Sequence, residues 1–241
     1  MADQTWVLPP SDFLGNLPRV EREALLAVGH RRVFRKGDHV FRSGAPGQNV
    51  YVLQEGRAKI YKLSDSGKEV ILWFCFSGEV FGLAEVSRGG QRGVFAQVCT
   101  DAQVLCVRRD EFNQFLQRYP ATAMQVIDLL SCRMRVLGDI LLNLATDDVP
   151  ARVIKLILRL CARYGKPANG GFDLEIPLTH QEIADMVGTT RQTVTSILSG
   201  LKRRGVLDVE RQCIHIQSAE LLEHMIYAGE SMPRGEAVHA W

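Results

Sequence analysis

Two helix-start signals on either side of a single glycine dominate the sequence between residues 176 and 216. Thr179 and Glu182 form a capping box, in which each side chain satisfies a backbone N–H group of the other residue. Residues 189–192 repeat the pattern with glutamine in the fourth place, and Gly188 supplies a sharp turn between the two signals. The segment is therefore predicted to form two short helices joined by a tight turn.

The second of these helices combines a buried apolar side with a polar outer face. Val194, Ile197, Leu198 and Leu201 follow helical spacing and are predicted to face inward. The outer face then carries Arg191, Gln192, Thr195, Ser196 and Ser199. An arginine can bond bidentately to guanine and a glutamine to adenine, and a recognition helix inserts its N-terminal end into the major groove. This helix is therefore predicted to read DNA.

Basic residues and a predicted wing follow the second helix. The trio at 202–204 is expected to grip phosphate, with complementation of the helix dipole as the alternative. Gly205 begins a wing through residues 206–209 and 214–216. The candidate DNA-binding residues are Thr179, His180, Thr190, Arg191, Gln192, Thr195, Ser196, Lys202 and Arg203. A DNA-binding domain is predicted over 147–228, with a helix from Pro150 to Tyr164 and a loosely ordered tail at 229–241.

The first half of the chain has a different texture. From residue 31 to 108, short β-rich runs are broken by glycines every eight to twelve residues, which predicts a β-sandwich or jelly-roll-like roll. Residues 8–30 read as a short helical cap. An effector-sensing domain is accordingly predicted over 1–119, and the whole chain is assigned to the α+β class.

A long helix is predicted between the two domains, from 110 to 145 with a break at Pro120. Its apolar residues recur at alternating spacings of three and four, which is a heptad stripe typical of a two-stranded coiled coil. The stripe comprises Ile127, Leu130, Met134, Leu137, Leu141 and Leu144. Residues 120–146 are therefore predicted to form a homodimerisation helix; packing of the helix onto its own domain is the alternative.

Composition excludes several other classes of protein. The chain is 46% hydrophobic and 23% charged, with a net charge of +2, so it is neither a disordered chain nor a histone-like polycation. No apolar run is long enough to span a membrane, and no secretory leader is visible; a cytoplasmic protein without membrane contact and with reduced cysteines is expected. Common hydrolase and nucleotide-binding motifs are missing, so no enzyme is predicted. An interaction module whose winged helix meets protein remains the alternative to a DNA-binding protein.

Five fragments together resemble the Crp-Fnr family of bacterial transcription regulators. The fragments are residues 36–44 (KGDHVFRSG), 51–56 (YVLQEG), 77–82 (SGEVFG), 178–184 (LTHQEIA) and 189–194 (TTRQTV). The resemblance covers roughly residues 12–225. It implies an effector in the roll that repositions paired long helices, a palindromic double-stranded DNA site with TGT-type half-sites, and RNA polymerase as a partner.

The resemblance also implies an effector pocket between the roll and the long helix. Its candidate residues are Phe81, Gly82, Leu83, Ala84, Glu85, Arg92, Gly93, Met134, Leu137, Gly138 and Leu141. Members that bind cyclic nucleotides have a ribose-binding Glu at the place of Leu83 and base-binding hydroxyls at the places of Leu137 and Gly138. Arg92 matches their phosphate-binding Arg, but Gly93 replaces the hydroxyl residue after it. Cyclic AMP is therefore not expected, because buried ribose hydroxyls would lack acceptors, and a cyclic-nucleotide-dependent activator is kept as an alternative.

Other cofactors of the family fit the sequence only in part. The iron–sulfur branch uses cysteines near the N-terminus, whereas the first cysteine here is Cys75, so no cluster and no metal ligand set are expected. Haem-based sensing of carbon monoxide or nitric oxide is kept as an alternative, with His30, His39 or Cys75 as ligands. Glu85 is expected to be a surface or loop carboxylate unless it replaces the missing ribose-binding acid. Residues 88–93 could form an anion-binding loop or a plain hairpin.

Overall fold

The computed structural model describes residues 12–168, 170–210 and 213–227, and the chain divides between Gly138 and Asp139 into two compact units. The predicted tail at 229–241 and the first residues of the predicted helical cap lie outside the described residues. Among the residues described, no helix is both long and apolar enough to cross a membrane.

The first unit is a roll of two four-stranded antiparallel sheets with helices at its ends. In the first sheet the strand order is β1-β8-β3-β6, and in the second it is β2-β7-β4-β5. The elements are α1 (Phe13–Asn16), α2 (Arg19–Val28), β1 (His30–Phe34), β2 (His39–Phe41), β3 (Asn49–Glu55), β4 (Arg57–Leu63), β5 (Glu69–Phe76), β6 (Val80–Phe81), β7 (Phe95–Val98), β8 (Ala102–Arg108) and α3 (Arg109–Arg118). The glycines that punctuate the sequence lie in the turns; Gly56, for example, joins β3 to β4 with a φ of +96°.

The roll has two apolar cores. One lies between the sheets and contains Phe41, Tyr51 and Phe81, whose rings are 5.3 to 6.2 Å apart. The other packs the first sheet against the helices, and it includes Leu83 and Val126. Burial of these side chains is the main source of stability for such a roll.

The long helix α4 (Pro120–Thr146) begins at the proline where the sequence predicted a break, because a proline is tolerated in the first turn of a helix. Within the first unit, Arg133 of α4 donates a hydrogen bond of 2.7 Å to the carbonyl of Val80 and lies 5.2 Å from the ring of Trp73. The first part of α4 is therefore anchored to the roll.

The described residues of the second unit form a four-stranded sheet in the order β11-β12-β10-β9 and, after α4, four helices. Its elements are α5 (Val149–Tyr164), β9 (Lys166–Ala168), β10 (Gly171–Leu174), α6 (His180–Val187), α7 (Arg191–Arg203), β11 (Leu207–Glu210), β12 (Cys213–Ile216) and α8 (Ala219–Tyr227). The predicted class, an α+β chain with a roll, a long helix and a winged helix-turn-helix, is confirmed. Strands β9 and β10 and helix α8 were not predicted.

Candidate DNA interface and effector site

The turn between α6 and α7 is built by the residues that the sequence singled out. The Thr179 hydroxyl accepts from the Glu182 N–H at 3.1 Å, and the Glu182 carboxylate accepts from the Thr179 N–H at 2.8 Å, so the capping box is complete. Gly188 ends α6 in the left-handed conformation with a φ of 72°. Helix α7 starts one residue later than the second signature suggested: the cap is Thr190, which accepts from the Thr193 N–H, and neither Thr189 nor Gln192 caps it.

Helix α7 presents the predicted faces. Val194, Ile197, Leu198 and Leu201 are buried, whereas Arg191, Gln192, Thr195, Ser196 and Ser199 are exposed. Within the described residues, the side chain of Arg191 makes no hydrogen bond or ion pair. It is therefore a long cationic group in the first turn of the helix, free to bind a ligand outside the chain.

His180 and Thr195 connect the two helices. The Thr195 hydroxyl lies 2.8 Å from Nδ1 of His180 and 2.9 Å from the Arg191 carbonyl, to which it donates. These contacts hold Thr195 against its own helix, so its hydroxyl is less available to a base than the sequence suggested. The role they give it is to fix the angle between α6 and α7.

The basic end of α7 is linked to the wing. Nζ of Lys202 lies 2.5 Å from the Asp208 carboxylate of β11, and both side chains are exposed. The hydrogen bond from Lys202 holds the pKa of Asp208 below its ordinary value. Arg203 and Arg204 line a cavity of about 350 Å³ beside α7, together with Pro150, Thr193, Ser196, Ile197 and Gly200. Sequence reasoning did not foresee the Lys202–Asp208 pair.

The predicted dimerisation stripe on α4 is mostly exposed in a single chain. The exposed fractions are 52% for Ile127, 74% for Met134, 37% for Leu137, 68% for Leu141 and 47% for Leu144. Leu130 differs, because it is half-buried against the apolar core of the roll. Such a row of large apolar side chains on one helix is typical of an interface rather than of a free surface.

In the roll, Arg92 is a buried cation surrounded by groups of the roll itself. Its side chain is 1% exposed, and Nη1 donates 3.0 Å to the carbonyl of Gly82. Nη2 donates to the carbonyl of Asn49. The guanidinium carbon lies 4.4 Å from the ring of Phe41 and 5.6 Å from that of Tyr51. Burial raises the pKa of Tyr51, and the nearby charge of Arg92 opposes that effect.

Glu85 neutralises this cation. Its carboxylate forms a hydrogen-bonded ion pair with Nη1 of Arg92, and its side chain is 10% exposed. Glu85 lies in a loop, as expected, but the expectation of a surface position is wrong, because this loop directs the carboxylate inward. Gly47 makes room for it, since a Cβ atom at Gly47 would lie 2.6 Å from the Cβ of Glu85.

The remaining effector-pocket candidates do not supply polar partners for a cyclic nucleotide. Leu83 is buried in the apolar core beside the helices, and Ala84 and Gly93 are exposed. Met134, Leu137, Gly138 and Leu141 of α4 are exposed. The phosphate-binding position that the resemblance implies, Arg92, is already ion-paired, and the implied ribose-binding position holds the buried side chain of Leu83.

The three candidate haem ligands, His30, His39 and Cys75, lie in different surroundings in the roll. Cys75 is fully buried between the sheets, and Nε2 of His39 lies 2.9 Å from the Tyr61 hydroxyl. His30 is exposed on β1. Over the described residues, no three His, Cys, Asp or Glu side chains cluster as a metal site.

Comparisons with known proteins match both units. The family model of the cyclic nucleotide-binding domain matches residues 31–119, and the family model of the Crp-like helix-turn-helix domain matches residues 151–225. The CRP-like cAMP-activated global transcriptional regulator of Mycobacterium tuberculosis is 30% identical over 78% of this chain and 84% of that protein. The global nitrogen regulator of Nostoc sp. is 27% identical over 76% of this chain and 83% of that protein.

The solved structures agree on the fold. A CooA variant from Carboxydothermus hydrogenoformans superposes with a TM-score of 0.77 at 22% identity, covering 91% of this chain and 96% of that one. FixK2 from Bradyrhizobium japonicum gives a TM-score of 0.73 at 24% identity over 82% and 96% of the two chains. The relatives are transcription regulators, so the prediction that this chain is not an enzyme is confirmed. The chain belongs to the Crp-Fnr family of transcription regulators.

Proposed function

We propose that this regulator binds a palindromic double-stranded DNA site as a homodimer and reads it chiefly through Arg191. The observation that carries the proposal is the exposed position of Arg191 in the first turn of α7, without a partner for its side chain among the described residues. An arginine so placed can bond to O6 and N7 of guanine. Gln192 is the next candidate for a base contact, whereas Ser196 is too short for a bidentate one.

The proposed dimer forms through the apolar stripe of α4 with a second copy of the chain. Heptad spacing favours this occupant, because the a and d positions of one helix pack into the same positions of an identical helix. A two-fold dimer presents two copies of α7, which suits an inverted repeat with half-sites about 34 Å apart. Lys202 and Arg203 are expected to contact phosphates.

The roll is proposed to control DNA affinity through an effector other than cyclic AMP. Support comes from the Arg92–Glu85 ion pair and from the burial of Leu83, which leave the phosphate and ribose of a cyclic nucleotide without free partners. Haem is the second candidate effector, and only the resemblance to the family supports it. A ligand role for Cys75 would need the roll to open, since the thiol is buried between the sheets. The proposed partners are DNA and RNA polymerase, and the proposed location is the cytoplasm.

Selection from a random duplex library tests the proposal. The wild type should enrich inverted repeats that contain guanine at one position of each half-site, and its affinity should fall steeply with salt. A variant carrying Leu137→Glu and Leu141→Glu should sediment as a monomer and lose the preference for repeats. Val33→Glu is the matched control, because Val33 is 78% exposed on the roll and outside the stripe. Failure to enrich any sequence, or a Leu137→Glu/Leu141→Glu variant that remains a dimer, would contradict the proposal.

A further inference from the structure

Arg92 and Glu85 form an ion pair inside the roll, in which one negative charge balances one positive charge. The guanidinium donates to two backbone carbonyls, those of Gly82 and Asn49, and to one carboxylate, that of Glu85. Two aromatic rings lie near it, and its Nε atom is buried without a hydrogen-bond partner. A buried cation needs a counter-charge, and here the chain itself supplies that charge.

The backbone around Glu85 directs this carboxylate inward. The turn after β6 is closed by hydrogen bonds of 3.0 Å from the Val86 N–H to Leu83 and 2.9 Å from the Gly89 N–H to Glu85. The Gly47 N–H donates 2.8 Å to the Gly90 carbonyl, which holds the two loops together. The close approach of Gly47 to the Glu85 side chain leaves no space for a larger residue there.

Charge balance decides what this site can bind. One guanidinium in a buried site can neutralise one anion. A ligand phosphate that entered would place a second negative charge beside Glu85, and like charges at such a distance repel strongly where water is excluded. Displacing Glu85 instead would require its buried loop to leave the space beside Gly47.

We propose that Glu85 is a built-in counter-ion that occupies the anion place at Arg92 and makes the roll reject cyclic nucleotides and free phosphate. The inference rests on the proposed role of the roll as the sensory domain, and it assigns Glu85 as the residue that sets the anion specificity of that domain. An effector of the roll would then bind to groups other than Arg92.

Calorimetric titration of the full chain with cyclic AMP and, separately, with inorganic phosphate tests this inference. The wild type should bind neither. Glu85→Gln, which keeps the shape and removes the charge, should bind at least one of them at least about tenfold more tightly than the weakest binding that the titration of the wild type would have detected, a factor that corresponds to about 1.4 kcal/mol. The double variant Glu85→Gln/Arg92→Met should lose that binding. Glu69→Gln is the control, because Glu69 pairs with Lys59 at 2.5 Å elsewhere in the roll.

Thermal unfolding provides a measurement that does not require a fully stable variant. Whichever of the two anions Glu85→Gln binds should raise its melting temperature and leave that of the wild type and of Glu69→Gln unchanged, because a ligand that binds only the folded state stabilises it. Binding of cyclic AMP by the wild type through Arg92, or a Glu85→Gln variant that gains no binding and no stabilisation by either anion, overturns the inference. Selection of a DNA site by the wild type is read separately, so loss of DNA recognition would contradict the proposed function and not the role of Glu85.

Discussion

Two arginines, Arg92 in the roll and Arg191 in the helix-turn-helix, differ sharply in burial and in partners. Arg92 of the roll is 1% exposed and is neutralised by Glu85, whereas Arg191 of the helix-turn-helix is exposed and has no side-chain partner within the described residues. Removing a guanidinium from water is costly, so a buried arginine is kept only with a counter-charge inside the chain. An exposed arginine keeps its hydration and remains available to a phosphate or a base. Burial therefore distinguishes an arginine that binds groups of its own chain from one that can bind a ligand.

The largest expected effect is on the buried pair. Glu85→Gln leaves the Arg92 charge without compensation, and we expect it to lower the free energy of unfolding by about 3–5 kcal/mol in phosphate-free buffer. Replacing both residues with apolar ones, as Arg92→Met and Glu85→Leu, should recover most of that loss. Urea unfolding measures both variants.

The matched control for this prediction is the exposed pair of the other unit. Removing the Lys202–Asp208 pair by Asp208→Asn should change the free energy of unfolding by less than about 1 kcal/mol, because exposed ion pairs contribute little. Equal losses of unfolding free energy for Glu85→Gln and Asp208→Asn would contradict the distinction between buried and exposed ion pairs.

Thiols extend the comparison to neutral groups. Burial raises the pKa of the Cys106 thiol to about 11, from an ordinary value of 9.0. Since the thiolate is the reactive form, at pH 8 its fraction should be about a hundredfold smaller than for an ordinary thiol, on top of the steric protection. Maleimide labelling followed by mass spectrometry should therefore modify half-buried Cys213 of the second unit well before Cys106. Similar labelling rates for the two cysteines below pH 9 would mean that the roll opens readily.

Arg191→Ala tests the exposed member of the comparison. The variant should lose about 1–3 kcal/mol of binding free energy per half-site and lose the preference for guanine at one position. Its stability should stay within about 0.5 kcal/mol of the wild type, because the side chain has no partner to lose in the described part of the chain. Binding to the selected site and to variants of it at the guanine position measures the effect. Ser199→Ala, on the same exposed face, is the control; retention of the guanine preference by Arg191→Ala would contradict the assigned role.

The features that sequence reasoning predicted depend on residues close together in the chain. The Thr179 capping box, the turn at Gly188 and the alternation of buried and exposed residues along α7 are all set within one or two helical turns, so their pattern is visible in the sequence. The same holds for the heptad stripe of α4. Only Leu130 departs from it, since the roll covers that side chain, and this contact between distant segments leaves no trace in the spacing.

The features that sequence reasoning missed depend on contacts between segments that are far apart in the chain. Glu85 looks like a loop carboxylate beside glycines, and its burial follows from the approach of Gly47 and from the partner Arg92. Strand β9 contains Pro167 and has only three residues, so no alternating pattern could reveal it; it is held by pairing with β10. The Lys202–Asp208 pair joins the end of a helix to a wing strand, which required the turn between them to be known.

The smallest expected effect concerns Lys202, which is exposed like Arg191 but paired like Arg92. Its partner Asp208 is also exposed, so exchanging the carboxylate for a DNA phosphate costs little, and Lys202 is expected to remain a phosphate contact. Lys202→Ala should reduce the salt slope of DNA binding by about 0.9 per half-site and weaken all sequences alike. Asp208→Asn should act in the opposite direction, because it removes both a competitor for Lys202 and a negative charge near the DNA; a gain in affinity of less than about tenfold is expected. Glu175→Gln, which breaks the exposed Lys166–Glu175 pair outside α6 and α7, is the control and should leave the affinity closer to that of the wild type. Salt titrations of the three variants on the selected site decide the matter: if Lys202→Ala changes the base preference, or if Asp208→Asn weakens binding, Lys202 does not act as an exchangeable phosphate contact.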